Sequence, residues 1–261
     1  MGVGMTDFAA ATDRSTPGFE RLTIGHWILR TASGATGRAN SATLHGDPGM
    51  AVATAVDRME AWYGERGQPA KVMVWDATAP EVIAELEHRG YTAGRPTDVM
   101  AVPLEQVWPG LHAPTRLRTR VETEPPDLMR SLIGAERLGE IVHSNLERRF
   151  AVAFDDNGDV GIGMAMFDPP LVGIFAMRTR GDRQGQGAGS AVIRALLDGA
   201  SNRGCGTAWL QVESDNHRAN QWYARLGFVT RTSYDHWVAL FTAASTAGGA
   251  DDTADRPDSR Q

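Results

Sequence analysis

Hydrophobic and polar residues in the first hundred positions alternate between short strand-like and longer helix-like patterns. Residues 22–30 and 37–44 predict strands, and Asp47-Pro48 predicts a helix start, because aspartate caps free N–H groups and proline fits the first helical turn. The spacing then predicts a helix over 51–66, a strand over 70–75, a helix over 80–88 and a strand over 97–102. This order indicates an α+β or α/β domain over residues 17–106.

A similar alternation follows a short joint. Residues 107–115 contain two prolines and a glycine, which indicates a linker between two units. Beyond it, the pattern predicts strands over 116–122, 149–154, 161–166, 171–179 and 208–213 and helices over 127–139, 190–200 and 217–225. We therefore expect a second domain over residues 116–242. The chain ends, 1–16 and 243–261, have little to bury and are expected to be disordered tails.

Composition agrees with two folded units and narrows the class of protein. A chain of 261 residues with 42% hydrophobic and 22% charged residues is typical of globular proteins. No long apolar stretch and no signal-peptide pattern is present, so we expect a cytoplasmic protein without a membrane partner. The single Cys205 cannot form an internal disulfide. The net charge of −6 makes a nucleic-acid partner unfavourable and weakly favours cationic acceptors.

The strongest chemical signal is a glycine-rich turn, residues 184–189 (QGQGAG), which lies between a predicted strand and a predicted helix. Glycines at such a turn let backbone N–H groups converge, and the helix dipole adds partial positive charge. A dinucleotide fingerprint would need a G-x-G-x-x-G spacing, and a P-loop would need Gly-Lys-Ser/Thr; neither is present. The turn therefore predicts a different pyrophosphate site, with a ligand-free helix-capping loop as the alternative.

A second motif follows about 30 residues later: Asn216, Ala219 and Tyr223, then the tripeptide 226–228 (LGF). Together with a Q-x-x-G-x-G pattern in the glycine turn, this segment resembles the GNAT superfamily of N-acetyltransferases. The alternative for the second motif alone is an amphipathic core helix ended by glycine. In the resemblance, a splayed strand admits coenzyme A and the helix carries Asn216 and Tyr223 toward it, although Asn216 equally suits a helix N-cap.

The resemblance implies acetyl-CoA as the acyl donor and assigns residues to it. The expected cofactor-binding residues are Met177, Arg178, Thr179, Gln184, Gly185, Gln186, Gly187, Ala188, Gly189, Ser190, Asn216, Ala219 and Tyr223. The edge at 177–179 is expected to present backbone N–H groups to the thioester and the pantetheine arm.

Two residues are predicted to act in catalysis. Tyr223 is predicted as the general acid, because a phenol pKa of about 10 is close to that of a leaving thiol; a core tyrosine is the alternative. Some family members carry a glutamate on the strand before the glycine turn, but this chain has no carboxylate there. The predicted base is therefore Glu213, with a solvated charge as the alternative and Asp235 and His236 as further candidates. No H-E-x-x-H metal motif or Ser-His-Asp arrangement is present, so no metal is expected.

The first half resembles a degenerate copy of the second at an offset of about 137 residues. Strand 71–75 then corresponds to 208–212, and helix 80–88 to 217–225, but Ala79 and Leu86 replace the asparagine and tyrosine. The loop 45–49 (HGDPG) has an acid and a proline, both unsuited to hold pyrophosphate. We expect an α/β fold of two GNAT-like domains with a mixed, mostly antiparallel central sheet flanked by helices. The first domain would lack coenzyme A; an unrelated small α+β domain is the alternative.

The predicted function is acetyl-CoA-dependent N-acetyl transfer to a primary amine of a small molecule or peptide by a monomer or homodimer. The alternatives are a protein lysine or N-terminal acetyltransferase, transfer of a longer acyl group, and a catalytically silent module that senses acyl-CoA. Nothing in the chain identifies the acceptor.

Overall fold

Most predicted elements are present in the computed structural model, which describes residues 4–108, 111 and 116–239. The first half contains α1 (Met5–Ser15), β1 (Glu20–Ile24), β2 (Trp27–Thr31), β3 (Ala42–Thr43), α2 (Val52–Gly64), β4 (Lys71–Trp75), α3 (Pro80–His88), β5 (Tyr91–Pro103) and α4 (Leu104–Val107). The second contains β6 (Arg118–Glu122), α5 (Asp127–Ile133), α6 (Ala135–Ile141), β7 (Glu147–Asp155), β8 (Gly158–Asp168), β9 (Leu171–Thr179), α7 (Ala188–Leu197), β10 (Thr207–Glu213), α8 (His217–Arg225) and β11 (Val229–Ala239). Within these described ranges, no helix is long and apolar enough to cross a membrane.

All eleven strands belong to one sheet, in the order β1-β2-β3-β4-β11-β5-β10-β9-β8-β7-β6. Only the pairs β3/β4 and β9/β10 are parallel, and the other strand pairs are antiparallel. The two parallel pairs occupy corresponding places in the two halves. The predicted fold class, a mixed and mostly antiparallel sheet with helices on its faces, is confirmed.

The two halves exchange their last strands. β11 of the second half lies between β4 and β5 of the first, and β5 lies between β11 and β10. β5 is longer than the predicted 97–102 because its first residues pair with β11, beginning with Tyr91 opposite Ala239. The predicted units 17–106 and 116–242 therefore follow the chain order, but neither contains all the strands of its own part of the sheet.

Helices cover both faces of this sheet. The face that we call the α1 face is covered by α1, α5 and α6 over one buried cluster that draws on both halves, including Phe8, Trp75, Met129, Phe150, Trp209 and Tyr234. The opposite face, here the α7 face, has two clusters, one under α2 and α3 and one under α4, α7 and α8. The shared cluster on the α1 face buries apolar surface across the junction of the halves and so stabilises their contact.

The expected N-terminal tail is wrong for residues 5–15, which form α1. Phe8 is buried against Trp209, with 6.0 Å between ring centroids. Asp13 forms an ion pair with the fully buried Arg30, with 2.6 Å between Oδ1 and Nη1. These partners are distant in sequence, so a local pattern of small polar residues could not reveal them. The predicted tail 243–261 and most of the predicted linker 107–115 lie outside the described residues.

Three further predictions differ from the structure for local reasons. The single strand expected over 22–30 is a hairpin of β1 and β2, because Gly25 has a φ of +56° and turns the chain between them. The strand expected over 37–44 is a single 3-10 turn, Arg38–Asn40, followed by the two-residue β3. The helix expected over 127–139 divides into α5 and α6 because Gly134 has φ +87° and ψ 146°, outside the helical region.

Glu140 on α6 holds the 33–40 loop against the second half. Its side chain is fully buried, and its carboxylate accepts hydrogen bonds from Ser33 Oγ at 2.7 Å, Ala35 N at 2.9 Å, Thr36 N at 2.7 Å and Asn40 Nδ2 at 3.1 Å. Burial opposes ionisation of Glu140, but these hydrogen bonds outweigh it and lower its pKa. The loop is therefore fixed by a charged group from the other half.

Replacing Asp13 with Asn should strongly destabilise the protein. Arg30 would keep its buried charge without a carboxylate, which costs about 3–5 kcal/mol of unfolding free energy. The control is Glu20→Gln, which removes the partly exposed Arg66–Glu20 pair and should cost less than about 1 kcal/mol. Urea unfolding measures both, and equal small losses would contradict a stabilising role for the buried pair.

Candidate active site

β9 and β10 begin as parallel neighbours and then separate. They pair from Leu171 opposite Thr207 to Ile174 opposite Leu210. Past this point β9 continues beside β8 as far as Thr179, and β10 continues beside β5. The result is a gap in the sheet, which we call the splay.

A β-bulge lies in β9 at the splay. Met164 pairs with Phe175 and Ile162 with Arg178, so Ala176 and Met177 both lie opposite Gly163. Ala176 has a φ of +54°, a conformation that is uncommon for a residue other than glycine. Because a bulge leaves an extra residue unpaired, backbone groups at 176–177 can point into the splay.

The glycine turn aims the N-terminus of α7 at the same gap. Gly185 and Gly187 have φ values of +78° and +81°, which strain any side-chain-bearing residue, and Gly187 is the N-cap of α7. The ten-residue helix begins at the next residue. Free N–H groups and the positive end of the helix dipole together favour a bound anion here.

A cleft of about 520 Å³ lies on the α7 face between this turn, the end of β9 and α8. It is lined by Met177, Arg178, Thr179, Gln184, Gly185, Gly187, Ala188, Gly189, Ser190, Asn216, Arg218, Ala219, Trp222 and Arg225. Every residue predicted to bind the cofactor is among them except Gln186 and Tyr223. The structure thus brings these residues together around one opening, and their individual roles stay predictions.

Three residues of α8 that line the cleft were missed in the sequence: Arg218, Trp222 and Arg225. Their spacing of four and three residues places them on one side of the helix, a signal that the sequence does contain. A Cβ atom on Gly189 would lie 2.8 Å from Cη2 of Trp222, so a glycine is required at that position for the ring to pack there.

The cleft is positively charged although the protein has a net charge of −6. Arg178, Arg218 and Arg225 line it, and none of its lining residues is an aspartate or glutamate. Arg218 Nη1 donates to Gln184 Oε1 at 2.7 Å, which orients the guanidinium beside the glycine turn. The arrangement suits a ligand with several negative charges.

Two predicted residues have other contacts. Gln186 is exposed, and its Oε1 accepts a hydrogen bond from Arg183 Nε at 3.1 Å. Asn216 Oδ1 accepts the backbone N–H of Ala219 at 3.2 Å and caps α8 while also lining the cleft. The N-cap alternative for Asn216 is therefore observed, and it leaves the cofactor role open.

Tyr223 lies beneath the cleft, packed between Trp222 and Phe228 with only 8% of its surface exposed. Burial raises the pKa of its hydroxyl to about 12, and the nearby Arg178 partly opposes this. The hydroxyl therefore stays protonated at physiological pH. Core packing and a proton-donor role are compatible at this position.

Glu213 lies on the other side of the sheet. Ala208, Leu210 and Val212 of β10 belong to the cluster on the α7 face. Trp209 packs on the α1 face, so strand alternation places Gln211 and the exposed Glu213 toward that face as well. Glu213 is thus separated from the cleft by the sheet and lies at the end of β10, beyond the point where the splay opens.

The two other base candidates have perturbed pKa values. Burial lowers the pKa of His236 to about 3, with contributions from Arg38, Lys71 and Arg30, so the imidazole is neutral at physiological pH. Burial and the neighbouring Asp76 raise the pKa of Asp235.

Proteins with similar sequences or folds include N-acetyltransferases. The chain is 24% identical over 224 residues to "Uncharacterized N-acetyltransferase YobR" of Bacillus subtilis (strain 168), which covers 82% of this chain and 90% of that protein. A GCN5-related N-acetyltransferase from Kribbella flavida has the same fold, with a TM-score of 0.73 and 15% identity over 94% of this chain and 98% of that one. A tandem GNAT protein from the clavulanic acid biosynthesis pathway matches with a TM-score of 0.61 and 16% identity, over 82% and 78% of the two chains.

One protein family matches a range of residues that spans both halves of the chain. The family described as "Probable histone acetyltransferase Rv0428c C-terminal" matches residues 5–237 of this chain. This range runs from α1 into β11 and confirms the resemblance predicted from the two motifs. Because the match takes in both halves and their exchanged strands, the chain belongs to that family and is an N-acetyltransferase of the GNAT superfamily.

Proposed function

We propose that this protein transfers an acetyl group from acetyl-CoA directly to a primary amine of a small molecule or peptide. The observation that carries the proposal is the arginine-lined cleft at the splay, which contains the start of α7 and no carboxylate. The cleft lies on the α7 face of the splay, and strand alternation from Trp209 places Gln211 and Glu213 on its α1 face. A donor held on one face can then meet an acceptor from the other.

The residues present fit acetyl-CoA, which supplies the acyl group as a thioester. The N–H groups of the glycine turn and the first turn of α7 would hold the pyrophosphate, with Arg218 adding charge. The bulge at Ala176–Met177 would hold the narrow arm that leads into the splay. Both features follow from backbone conformations that the glycines and the bulge already fix.

Each chemical requirement then has a group near the splay. A backbone N–H at the bulge can donate to the thioester carbonyl and stabilise negative charge on its oxygen. The Tyr223 hydroxyl, protonated at neutral pH, can donate its proton to the departing sulfur. Glu213, on the acceptor side, can take the proton that the amine loses.

The first half is proposed to bind no coenzyme A, because the loop before α2, which corresponds to the glycine turn, is unsuited to an anion. β3 and β4 run parallel like β9 and β10, and α2 and α3 take the places of α7 and α8. The Asp47 carboxylate accepts the Gly49 N–H at 2.7 Å, so the loop already holds a negative charge of its own. Leu86, which is buried, stands at the position that corresponds to Tyr223.

A protein lysine acceptor is the second candidate, because the matching family is described as a probable histone acetyltransferase. A basic tail would need an acidic surface beside the splay. The α1 face instead carries Arg38 and Lys71 close to His236, which favours the smaller acceptor.

Changing Gly187 to Glu should weaken acetyl-CoA binding by at least about tenfold, since it adds negative charge and strain at the anion seat. Calorimetry with acetyl-CoA, coenzyme A and NADH measures this. Gly181→Glu is the matched control: it is the same substitution in the 3-10 turn just before the glycine turn, at a position with open space and an ordinary φ. Arg218→Gln provides a second variant without backbone strain. Absence of binding by the parent would refute the proposed function.

Changing Tyr223 to Phe should lower kcat by roughly 10²–10⁴-fold while acetyl-CoA affinity is retained, because the ring still packs but no proton can be donated. Tyr91→Phe, which removes a hydroxyl bonded to Glu60 far from the splay, should leave kcat unchanged. Equal kcat in parent and Tyr223→Phe would exclude this tyrosine as the acid. A parent that binds acetyl-CoA but acetylates no amine in a broad panel would indicate a sensing module.

Changing Glu213 to Gln should lower kcat/KM by roughly tenfold or more, since the amine would lose its proton acceptor. Glu105→Gln, an exposed change on α4, is the control. Steady-state rates at saturating acetyl-CoA measure both variants, and an unchanged Glu213→Gln enzyme would leave the glutamate as a solvated charge.

A further inference from the structure

A chain of hydrogen bonds on the α1 face connects the two halves. Arg38 Nε donates to the Tyr234 hydroxyl at 2.7 Å, and this hydroxyl donates to Gln211 Oε1 at 3.3 Å. Gln211 Nε2 then donates to Thr12 Oγ1 at 2.6 Å. Side chains therefore join, in this order, the 33–40 loop of the first half, β11, β10 and α1.

This chain of bonds reaches the splay at Gln211 before it continues to α1. Gln211 is the first residue of β10 after the last parallel pair, Leu210 opposite Ile174. Arg38 is two hydrogen bonds away from it. Glu213 and Tyr234 lie in one cross-strand row, because both pair with Thr97 of β5, so their Cα atoms are separated by two strand spacings, about 10 Å.

The positive charge of Arg38 has no carboxylate partner in residues 4–108, 111 and 116–239. Its Nε is bound to Tyr234, and its two Nη atoms make no hydrogen bond within that part of the chain. Lys71 adds a second positive charge beside His236, whose imidazole is neutral, while the nearby Arg30 is already paired with Asp13. A half-buried cation in such surroundings favours an anion that comes from outside the chain.

The position of Arg38 is fixed before any ligand binds. Buried Glu140 holds residues 33–40 by four hydrogen bonds. Gly37 lies against the imidazole of His236, where an added Cβ would be 3.1 Å from Nε2. A guanidinium that is already oriented loses little conformational freedom on binding, which increases its contribution to affinity.

We propose that the acceptor amine also carries a carboxylate, and that the Nη atoms of Arg38 bind it. The inference rests on the proposed function, because it places the amine beside Glu213 at the splay. The two Nη groups form a fork that matches the two oxygens of a carboxylate. Arg38 is then a specificity-determining residue contributed by the half without a cofactor seat.

The test uses amino acids of increasing chain length, each paired with its own carboxamide. The carboxamide keeps the size and the amine but loses the negative charge. The parent should prefer the acid over the amide by roughly ten- to a hundredfold in kcat/KM. In Arg38→Gln this preference should vanish, because KM for the acid rises while kcat for the amide is retained. Arg38→Lys should restore part of the preference. Arg58→Gln, an exposed change on α2, should behave as the parent.

The controls separate this inference from the proposed function. Acetyl-CoA affinity should be equal in the parent and Arg38→Gln. In the presence of coenzyme A, adding the amino acid should raise the melting temperature of the parent but not that of Arg38→Gln. Such stabilisation without acetylation would support Arg38 and refute the transfer reaction. Equal rates for acids and amides in the parent, or an unchanged Arg38→Gln, would overturn the inference. If the parent preferred aminoalkyl phosphates to amino acids, Arg38 would bind a phosphate, and the assignment of a carboxylate on the acceptor would be overturned.

Discussion

The pairing of β5 with β11 is the interaction on which the rest of the structure depends. These strands come from different halves, and each inserts beside the other to make one continuous sheet. β10 can separate from β9 because β5 supplies backbone hydrogen-bond partners along its other edge, as far as Glu213. The opening at the splay is therefore made partly by a strand from the first half. The first half thus contributes to the structure around the cleft.

Buried charges fix two segments near this junction. Asp13 neutralises Arg30, and Glu140 is satisfied by donors from the 33–40 loop. Each group would be costly to bury alone, so each fixes the position of a segment that contributes little apolar surface. Hydrophobic packing on the α1 face brings the halves together, and these polar contacts determine how the loops lie.

Few residues distinguish the cleft at the start of α7 from the corresponding loop before α2. Both halves have a parallel strand pair, then a helix, α3 or α8, and a positive-φ glycine after that helix, Gly90 or Gly227. The second half has glycines and arginines at its turn, where the first has Asp47, whose carboxylate takes up a loop N–H. The two halves thus share a scaffold, but the arginine-lined cleft belongs to the second half and Arg38 to the first.

Local physics explains what the sequence by itself determined. Hydrophobic periodicity defines β9 and α8 to the residue, and the glycine turn with Asn216 and Tyr223 indicates the family, because positive-φ glycines and helical spacing are properties of short segments. Tertiary structure decided the strand exchange, the ordering of α1 and the network from Arg38 through Tyr234 to Gln211. Strand partners and buried ion pairs join residues far apart in the chain, and their stability arises only after desolvation in the folded state, so no local pattern encodes them.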